Sequence, residues 1–268
     1  MIKMIALDLD NTLLEKNLTI SKETLSLLQK CNEKGITIAI STGRIFNSAA
    51  KYAEIIGKNT KIVCYNGCLV TTADHKELFS ANLSVNAMKQ IIDFSKENNL
   101  YCQFYLDNKI LVEKVTENTT IDPDLYNTTA IEVGDFNKIN LTPSPKGMIV
   151  ARPEDVPNYI SMLSNYINEN VYIAQSQPYL IEIMPPKVNK SSSLQILCNH
   201  LGILPADVMV CGDNTNDSEM LKWAGIGVAV SNAVDEVKEI ADYVCVNERS
   251  LGVAEAIEKF VFEKSSIK

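Results

Sequence analysis

Short apolar runs alternate with segments whose apolar positions recur every three to four residues along the first 80 residues. Met4-Ile5-Ala6-Leu7 reads as a buried strand. Leu25, Leu28 and Cys31 then share one face of a helix predicted from Ser21 to Lys34, with Ser21 as N-cap and Gly35 as the C′ residue. Ile36 to Ile40 is a second strand, Phe46 to Ile56 a helix stopped by Gly57, and Lys61 to Tyr65 a third strand closed by the turn pair Asn66-Gly67. Repeated βα units of this length predict a parallel sheet.

The pattern changes in the middle of the chain. Tyr101 to Leu106 and Lys109 to Val115 predict a hairpin across Asp107-Asn108. Thr142-Pro143-Ser144-Pro145 marks a loop, Met148 to Ala151 a strand, and Pro153 to Asn168 a helix with proline near its start. Val171 to Ala174 and Tyr179 to Met184 add two strands. From Ser191 the βα pattern returns, with helices over Ser191 to Leu201 and Ser218 to Ala224, and strands at Val208 to Cys211, Ile226 to Val230 and Tyr243 to Val246. The expected fold is α/β: a Rossmann-like parallel-sheet core formed by residues 1–82 and 189–268, interrupted by an α+β module over 83–188.

Composition narrows the function classes. A net charge of −8 argues against a nucleic-acid partner, which needs a clustered basic surface. No apolar stretch approaches the ~20 residues that span a bilayer, and no signal-peptide pattern opens the chain, so a cytoplasmic protein with no membrane partner is expected. The seven cysteines, with no CxxC, read as reduced, packed thiols. With only His75 and His200, a histidine triad or multi-histidine metal site is nearly excluded, and His200, beside Gly202, reads as part of a helix end.

Chemistry-bearing residues gather at strand and helix ends: Asp8-x-Asp10-x-Thr12, Thr42-Gly43-Arg44, Lys190, and Gly212-Asp213-Asn214-Thr215-Asn216-Asp217. Alternation along an extended segment aims Asp8 and Asp10 to the same side. Each segment alone is an ordinary solvated turn or cap. Together they place carboxylates, a hydroxyl and an ammonium over the carboxyl edge of one sheet, where open α/β folds bind ligands. Oxygen-only ligands select Mg²⁺, and a bound cation reconciles an acidic protein with an anionic substrate.

On these four segments, with Tyr179-Leu180-Ile181-Glu182-Ile183 and Val230-Ser231-Asn232-Ala233 beside them, the chain resembles the haloacid dehalogenase superfamily. The likeness is to Cof-type phosphatases with a large α/β cap of type 2B, and it covers essentially the full length. The resemblance implies a Mg²⁺-dependent phosphatase for small phosphorylated metabolites, sugar phosphates foremost, working through an aspartyl-phosphate. It implies Asp8 as nucleophile and Asp10 as general acid and base. Mg²⁺ falls to Asp8, the Asp10 backbone carbonyl and Asp213, and phosphate to Thr42, Gly43, Lys190 and Asn216. Asp217, Thr12 and Arg44 are supporting groups, with Asp217 positioning Lys190 or a metal-bound water. Lys146 and Tyr179 are the expected cap contacts to the substrate. Asn11 and Ser191 stand where the family commonly has glycine, Asn11 because it tolerates positive φ and Ser191 as a helix N-cap. The alternatives are a phosphomutase of the same superfamily and a non-catalytic metal- or phosphate-binding regulator. A monomer or weak homodimer is expected.

Overall fold

The computed structural model describes residues 1–57, 59–72, 74, 76–121 and 128–263; His75 lies outside the described residues. In chain order the first half contains β1 (Met4–Leu7), α1 (Lys22–Glu33), β2 (Thr37–Ser41), α2 (Phe46–Ile56), β3 (Lys61–Cys64), β4 (Leu69–Thr72) and β5 (Glu77–Ser80). There follow α3 (Val85–Glu97), β6 (Tyr101–Leu106), β7 (Lys109–Val112), β8 (Ala130–Glu132), β9 (Gly147–Val150), α4 (Val156–Tyr166), β10 (Tyr172–Gln177) and β11 (Leu180–Met184). The chain ends with α5 (Lys190–Leu201), β12 (Val208–Gly212), α6 (Ser218–Trp223), β13 (Ile226–Ala229), α7 (Asp235–Ile240), β14 (Tyr243–Val244) and α8 (Arg249–Ile257).

The larger sheet runs β14-β13-β12-β1-β2-β3-β4-β5. It is parallel from β14 to β3, and the strands that the βα rhythm predicts are all in it. β4 and β5 are antiparallel additions at the β3 edge that the rhythm does not announce. β1 is wholly buried between β12 and β2. The chain steps outward on opposite sides of β1, so the strand order reverses there and leaves a crevice beyond its carboxyl end.

Local chemistry explains the boundaries. Ser21 Oγ accepts from the Thr24 amide at 3.1 Å and starts α1; Gly35, at φ 80°, ends it. Asn11 adopts φ 62°, as its place in a tight turn requires. α4 starts later than Pro153, at Val156, with Pro157 in its first turn, because a proline is tolerated only where no amide partner is needed. Ser191 is not the cap of α5. Asn189 is: its side chain accepts from the Ser192 amide at 2.8 Å, while Ser192 Oγ accepts from the Asn189 amide at 3.0 Å.

The second sheet, β10-β11-β9-β6-β7-β8, is antiparallel except for β7 against β8. The β6–β7 hairpin turns through Asp107 and Asn108, both at positive φ. Its side chains alternate between two environments. Phe104, Ile149, Ile181 and Ile183 pack beneath α3 and α4. Tyr105, Met148, Leu180 and Met184 turn the other way and join the core cluster of the larger sheet. Glu182 lies opposite Met148 in the β11–β9 register, on this inward face. The second sheet is therefore a lid laid over the crevice at the end of β1.

The seven cysteines are free thiols, six of them buried. Burial pushes Cys31 and Cys198 up to about 11 and Cys102 and Cys245 up to about 12, so these thiols pack as small apolar groups.

Candidate active site

β1 delivers Asp8 directly beyond Leu7, fixed by its amide donating to the Cys211 carbonyl at 3.1 Å. The chain then tightens into a turn rather than staying extended, yet Asp8 and Asp10 both face one cavity. Their partners differ. Asp8 Oδ1 accepts from Lys190 Nζ at 2.6 Å, whereas Asp10 accepts from the Arg44 fork, at 2.8 Å from Nε and 2.5 Å from Nη2. The two acids were legible as a pair; that the Arg44 fork holds Asp10 was not.

Lys190 is 2% exposed and also donates to Asp217 Oδ1 at 2.6 Å. An ammonium in the first turn of α5 opposes the helix dipole, so it needs these two acids. Burial alone lowers a lysine, but Asp217 and Asp8 outweigh it and hold Lys190 above its ordinary range. The second Asp217 oxygen accepts from the Asp213 and Asn214 amides at 3.0 and 3.2 Å, shaping the turn after β12. Thr12 Oγ1 donates to Asp213 Oδ1 at 2.6 Å. Asn232 braces the turn after β1: it donates to the Asn11 carbonyl at 2.8 Å and accepts from the Arg249 amide at 2.8 Å.

Carboxylate oxygens of Asp8, Asp213 and Asp217 lie within 4.8 Å of one another, all buried. Desolvation, with Asp217, Asp213 and Asp10 adding to it, raises Asp8 well above the usual carboxylate range despite Lys190. Burial and then Asp217 push Asp213 up to about 7, against the Thr12 hydrogen bond. Asp217 spends both oxygens on protein donors, while Asp8 Oδ2 and Asp213 Oδ2 have no protein donor among the described residues. A hard dication between Asp8 and Asp213 would relieve the like-charge cost, and an oxygen-only set suits Mg²⁺. The residues fit the ion.

The phosphate-side groups converge from β2 and β12. Thr42 is 1% exposed, and its Oγ1 accepts from the Arg44 amide at 3.2 Å. Thr42, Gly43, Arg44, Asp213, Asn214 and Asn216 line the same cavity of about 80 Å³ as Asp8 and Asp10. The lid closes it with Lys146, Met148, Ser176, Gln177, Leu180 and Glu182. Of the two expected lid contacts, Lys146 is in the wall. Tyr179 is not; it is half-buried against the core cluster, and its neighbours Gln177 and Leu180 take the cavity positions. The strand register explains the correction: β10 and β11 shift between Gln175 and Gln177, so position 179 falls in the turn between them.

Three residues to which the sequence reading gives no role at the site, Asn66, Glu182 and Gly67, complete it. Asn66, at φ 54° after β3, donates to Glu182, and its Oδ1 accepts from Asn216 Nδ2 at 3.4 Å. Glu182 stands inside the apolar run Leu180-Ile181-Glu182-Ile183-Met184, where alternation alone would have flagged an inward acid. Gly67, at φ 110°, lets α5 approach: a Cβ there would lie 2.4 Å from the Asn189 carbonyl oxygen.

A parallel sheet with an acid cluster and a buried lysine over its switch point, covered by a second sheet, is an open α/β architecture suited to holding a cation and an anionic ligand at the carboxyl ends of its strands. The sequence agrees: residues 5–257 match the haloacid dehalogenase-like hydrolase family, and the chain belongs to it. The chain is 32% identical to 5-amino-6-(5-phospho-D-ribitylamino)uracil phosphatase YitU of Bacillus subtilis, over 96% of this chain and 97% of that protein. It is 30% identical to a phosphoglycolate phosphatase of Methanobrevibacter smithii, over 97% and 99% respectively. Its fold superposes on a haloacid dehalogenase-like hydrolase from Bacteroides thetaiotaomicron with a TM-score of 0.86 at 28% identity, covering 97% of this chain and 99% of that one.

Proposed function

We propose that the chain is a phosphoric monoester hydrolase that removes phosphate from small phosphorylated metabolites, sugar phosphates foremost, with Mg²⁺ bound. The observation that carries this reading is the unequal pairing of the two acids. Asp8 is buried beside Lys190 and the metal-fitting Asp213, as a nucleophile facing a phosphoryl group must be; Asp10 sits on a polar fork at the cavity wall, 35% exposed.

One carboxylate oxygen of Asp8 attacks phosphorus as the bond to the leaving oxygen breaks, giving an aspartyl-phosphate. Asp10 protonates the departing alkoxide and then takes a proton from the water that hydrolyses the intermediate. In the arrangement observed, both Asp10 oxygens accept from Arg44. Proton delivery therefore requires Asp10 to give up one arm of that fork to the leaving oxygen. Thr42, the Gly43 amide, Asn216 and Lys190 bind the phosphoryl oxygens, and Lys190 offsets the charge of Asp8 throughout. Asp8, the Asp10 carbonyl and Asp213 would hold Mg²⁺, which when bound would supply positive charge to offset the repulsion between the Asp8 carboxylate and an anionic substrate. The lid, entered near Asn82 and left near Asn189, excludes water and selects the leaving group.

The two relatives named above act, by their names, on a phosphorylated ribitylamino compound and on phosphoglycolate. Both are small phosphomonoesters, which supports the class while leaving the leaving group to the lid. A panel of phosphorylated metabolites assayed with Mg²⁺ and with EDTA tests the proposal. Metal-dependent release of free phosphate supports it. An isomeric phosphate ester without free phosphate would make the protein a mutase, and binding without turnover would make it a regulator.

A further inference from the structure

The lid carries a buried ion pair that the chemistry above does not use. Lys146, immediately before β9, and Glu182, on the neighbouring strand β11, are each 3% exposed, with Nζ 2.6 Å from Oε1. Placing both charges out of water is costly unless their remaining hydrogen-bonding capacity is met. Much of that capacity is met across the cleft. Lys146 Nζ donates to the Gly43 carbonyl at 3.0 Å and stands 4.8 Å from the Tyr105 ring centroid. Glu182 Oε2 accepts from Asn66, which in turn accepts from Asn216.

The pair thus grips both phosphate-side loops. The Gly43 carbonyl belongs to the peptide whose amide, on Arg44, donates to Thr42 Oγ1. A cation on that carbonyl fixes the plane of the peptide and so the direction of the Thr42 hydroxyl and the Arg44 fork on Asp10. Asn66 does the same for Asn216. Beside the apolar packing of Tyr105, Met148, Leu180 and Met184 on the core cluster, further polar contacts between lid and core include Asn108 Oδ1, which accepts from the Asn47 amide at 3.3 Å and the Tyr65 hydroxyl at 3.4 Å, and Asn214, which donates to the Ser176 carbonyl at 3.1 Å.

We propose that Lys146 and Glu182 are positioning residues that couple lid docking to assembly of the phosphate-binding turn. Core backbone bonds (the Thr42 amide to the Val63 carbonyl, the Tyr65 amide to the Arg44 carbonyl) hold the turn in place, and lifting the lid strips Lys146 of Gly43 and Glu182 of Asn66, so the final orientation of the Gly43–Arg44 peptide and of Asn216 depends on the lid being down. This rests on the phosphate reading of the site and adds to it a lid that organises the phosphate subsite, rather than only contacting the leaving group.

The test is the affinity of the full-length protein for inorganic phosphate with Mg²⁺, read by calorimetry, beside kcat/KM for p-nitrophenyl phosphate and for a sugar phosphate. Lys146→Met removes a charge-assisted hydrogen bond to the turn, so phosphate affinity should fall about ten- to hundred-fold, and kcat/KM on both substrates should fall with it. Lys146→Arg, which can still donate to Gly43, should recover part of each. Glu182→Gln keeps size and shape and serves if Lys146→Met fails to fold; it should weaken phosphate in the same direction. Unchanged phosphate affinity with loss confined to the sugar phosphate would overturn the proposal in favour of leaving-group contact. A lowered melting temperature with unchanged phosphate affinity would overturn it in favour of a structural role. A wild-type protein that binds phosphate but hydrolyses nothing would defeat the hydrolase reading, and the affinity comparison would still decide this one.

Discussion

Lys190→Met removes the single buried counter-charge shared by Asp8 and Asp217 while keeping an unbranched side chain of similar length. Both contacts are 2.6 Å, and the lysine and its two acids are 2%, 8% and 0% exposed, so water cannot replace the ammonium. Breaking a buried pair by removing one partner costs about 3–5 kcal/mol. The upper end applies here, because two carboxylates lose their partner and Asp213 adds its own repulsion. Against a total of about 5–15 kcal/mol the variant would be marginal. At about 2–4 °C per kcal/mol for a chain of this size, the melting temperature should drop by about 10–20 °C. Acid relieves the penalty: Asp8 already binds a proton more readily than an ordinary aspartate, so the gap to wild type should narrow from pH 7 to pH 5. Urea unfolding at both pH values, in EDTA so that no metal substitutes for the missing charge, measures it. A loss below about 1 kcal/mol at pH 7, or a gap that widens in acid, would refute the reasoning.

Two further outcomes follow from the same cluster. Asp213 is raised from 3.8 to about 7 and Asp8 moves in the same direction, so in EDTA their contribution to stability is complete below about pH 4 and is lost as pH rises through 7. Thermal unfolding should therefore show a Mg²⁺-induced rise in melting temperature that grows from pH 5 to pH 8; an equal or larger rise at pH 5 would contradict the proposed ligand set. Gly67→Ala should cost at least about 1–3 kcal/mol and displace Lys190, because the new Cβ meets the Asn189 carbonyl at 2.4 Å on a φ of 110°. Gly35→Ala, also at positive φ but with nothing within 4 Å, is the control: it should lose stability without losing turnover.

The core of this fold was legible because its strands are continuous apolar runs bounded by caps and turns, and each chemical motif sits where such a run stops. Asp8, Thr42 and Asp213 could be placed over one crevice from that rule alone, and Lys190 from its position before a helical pattern. What stayed hidden depended on contacts distant in sequence. Asn66 reads as half of a turn, and only the lid strand 116 residues later shows that it holds Glu182. Arg44 and Asp10 were both named without being joined, since a fork at 2.5–2.8 Å is a fact of packing. β4 and β5 are too short and too mixed in polarity to signal a sheet edge. Tyr179 was placed in a strand by its apolar neighbours; it lies in the turn beyond the irregularity between Gln175 and Gln177, and Gln177 and Leu180 take the positions in the cavity wall. The Asn189 cap outcompeted Ser191 because residue 189 has extended backbone at the start of α5, whereas Ser191 already lies inside the helix.

The central claim is that Asp8, and not its neighbour in the pair, forms the bond to phosphorus. Asp8→Asn keeps the shape of the side chain and can still meet Lys190 through its carbonyl oxygen, so the variant should fold. Phosphate release from the best substrate of the panel, measured with Mg²⁺ for wild type and for Asp8→Asn at matched folded concentration, tests it directly. The account predicts turnover in the first and none above background in the second; release by Asp8→Asn at a rate near wild type would contradict it.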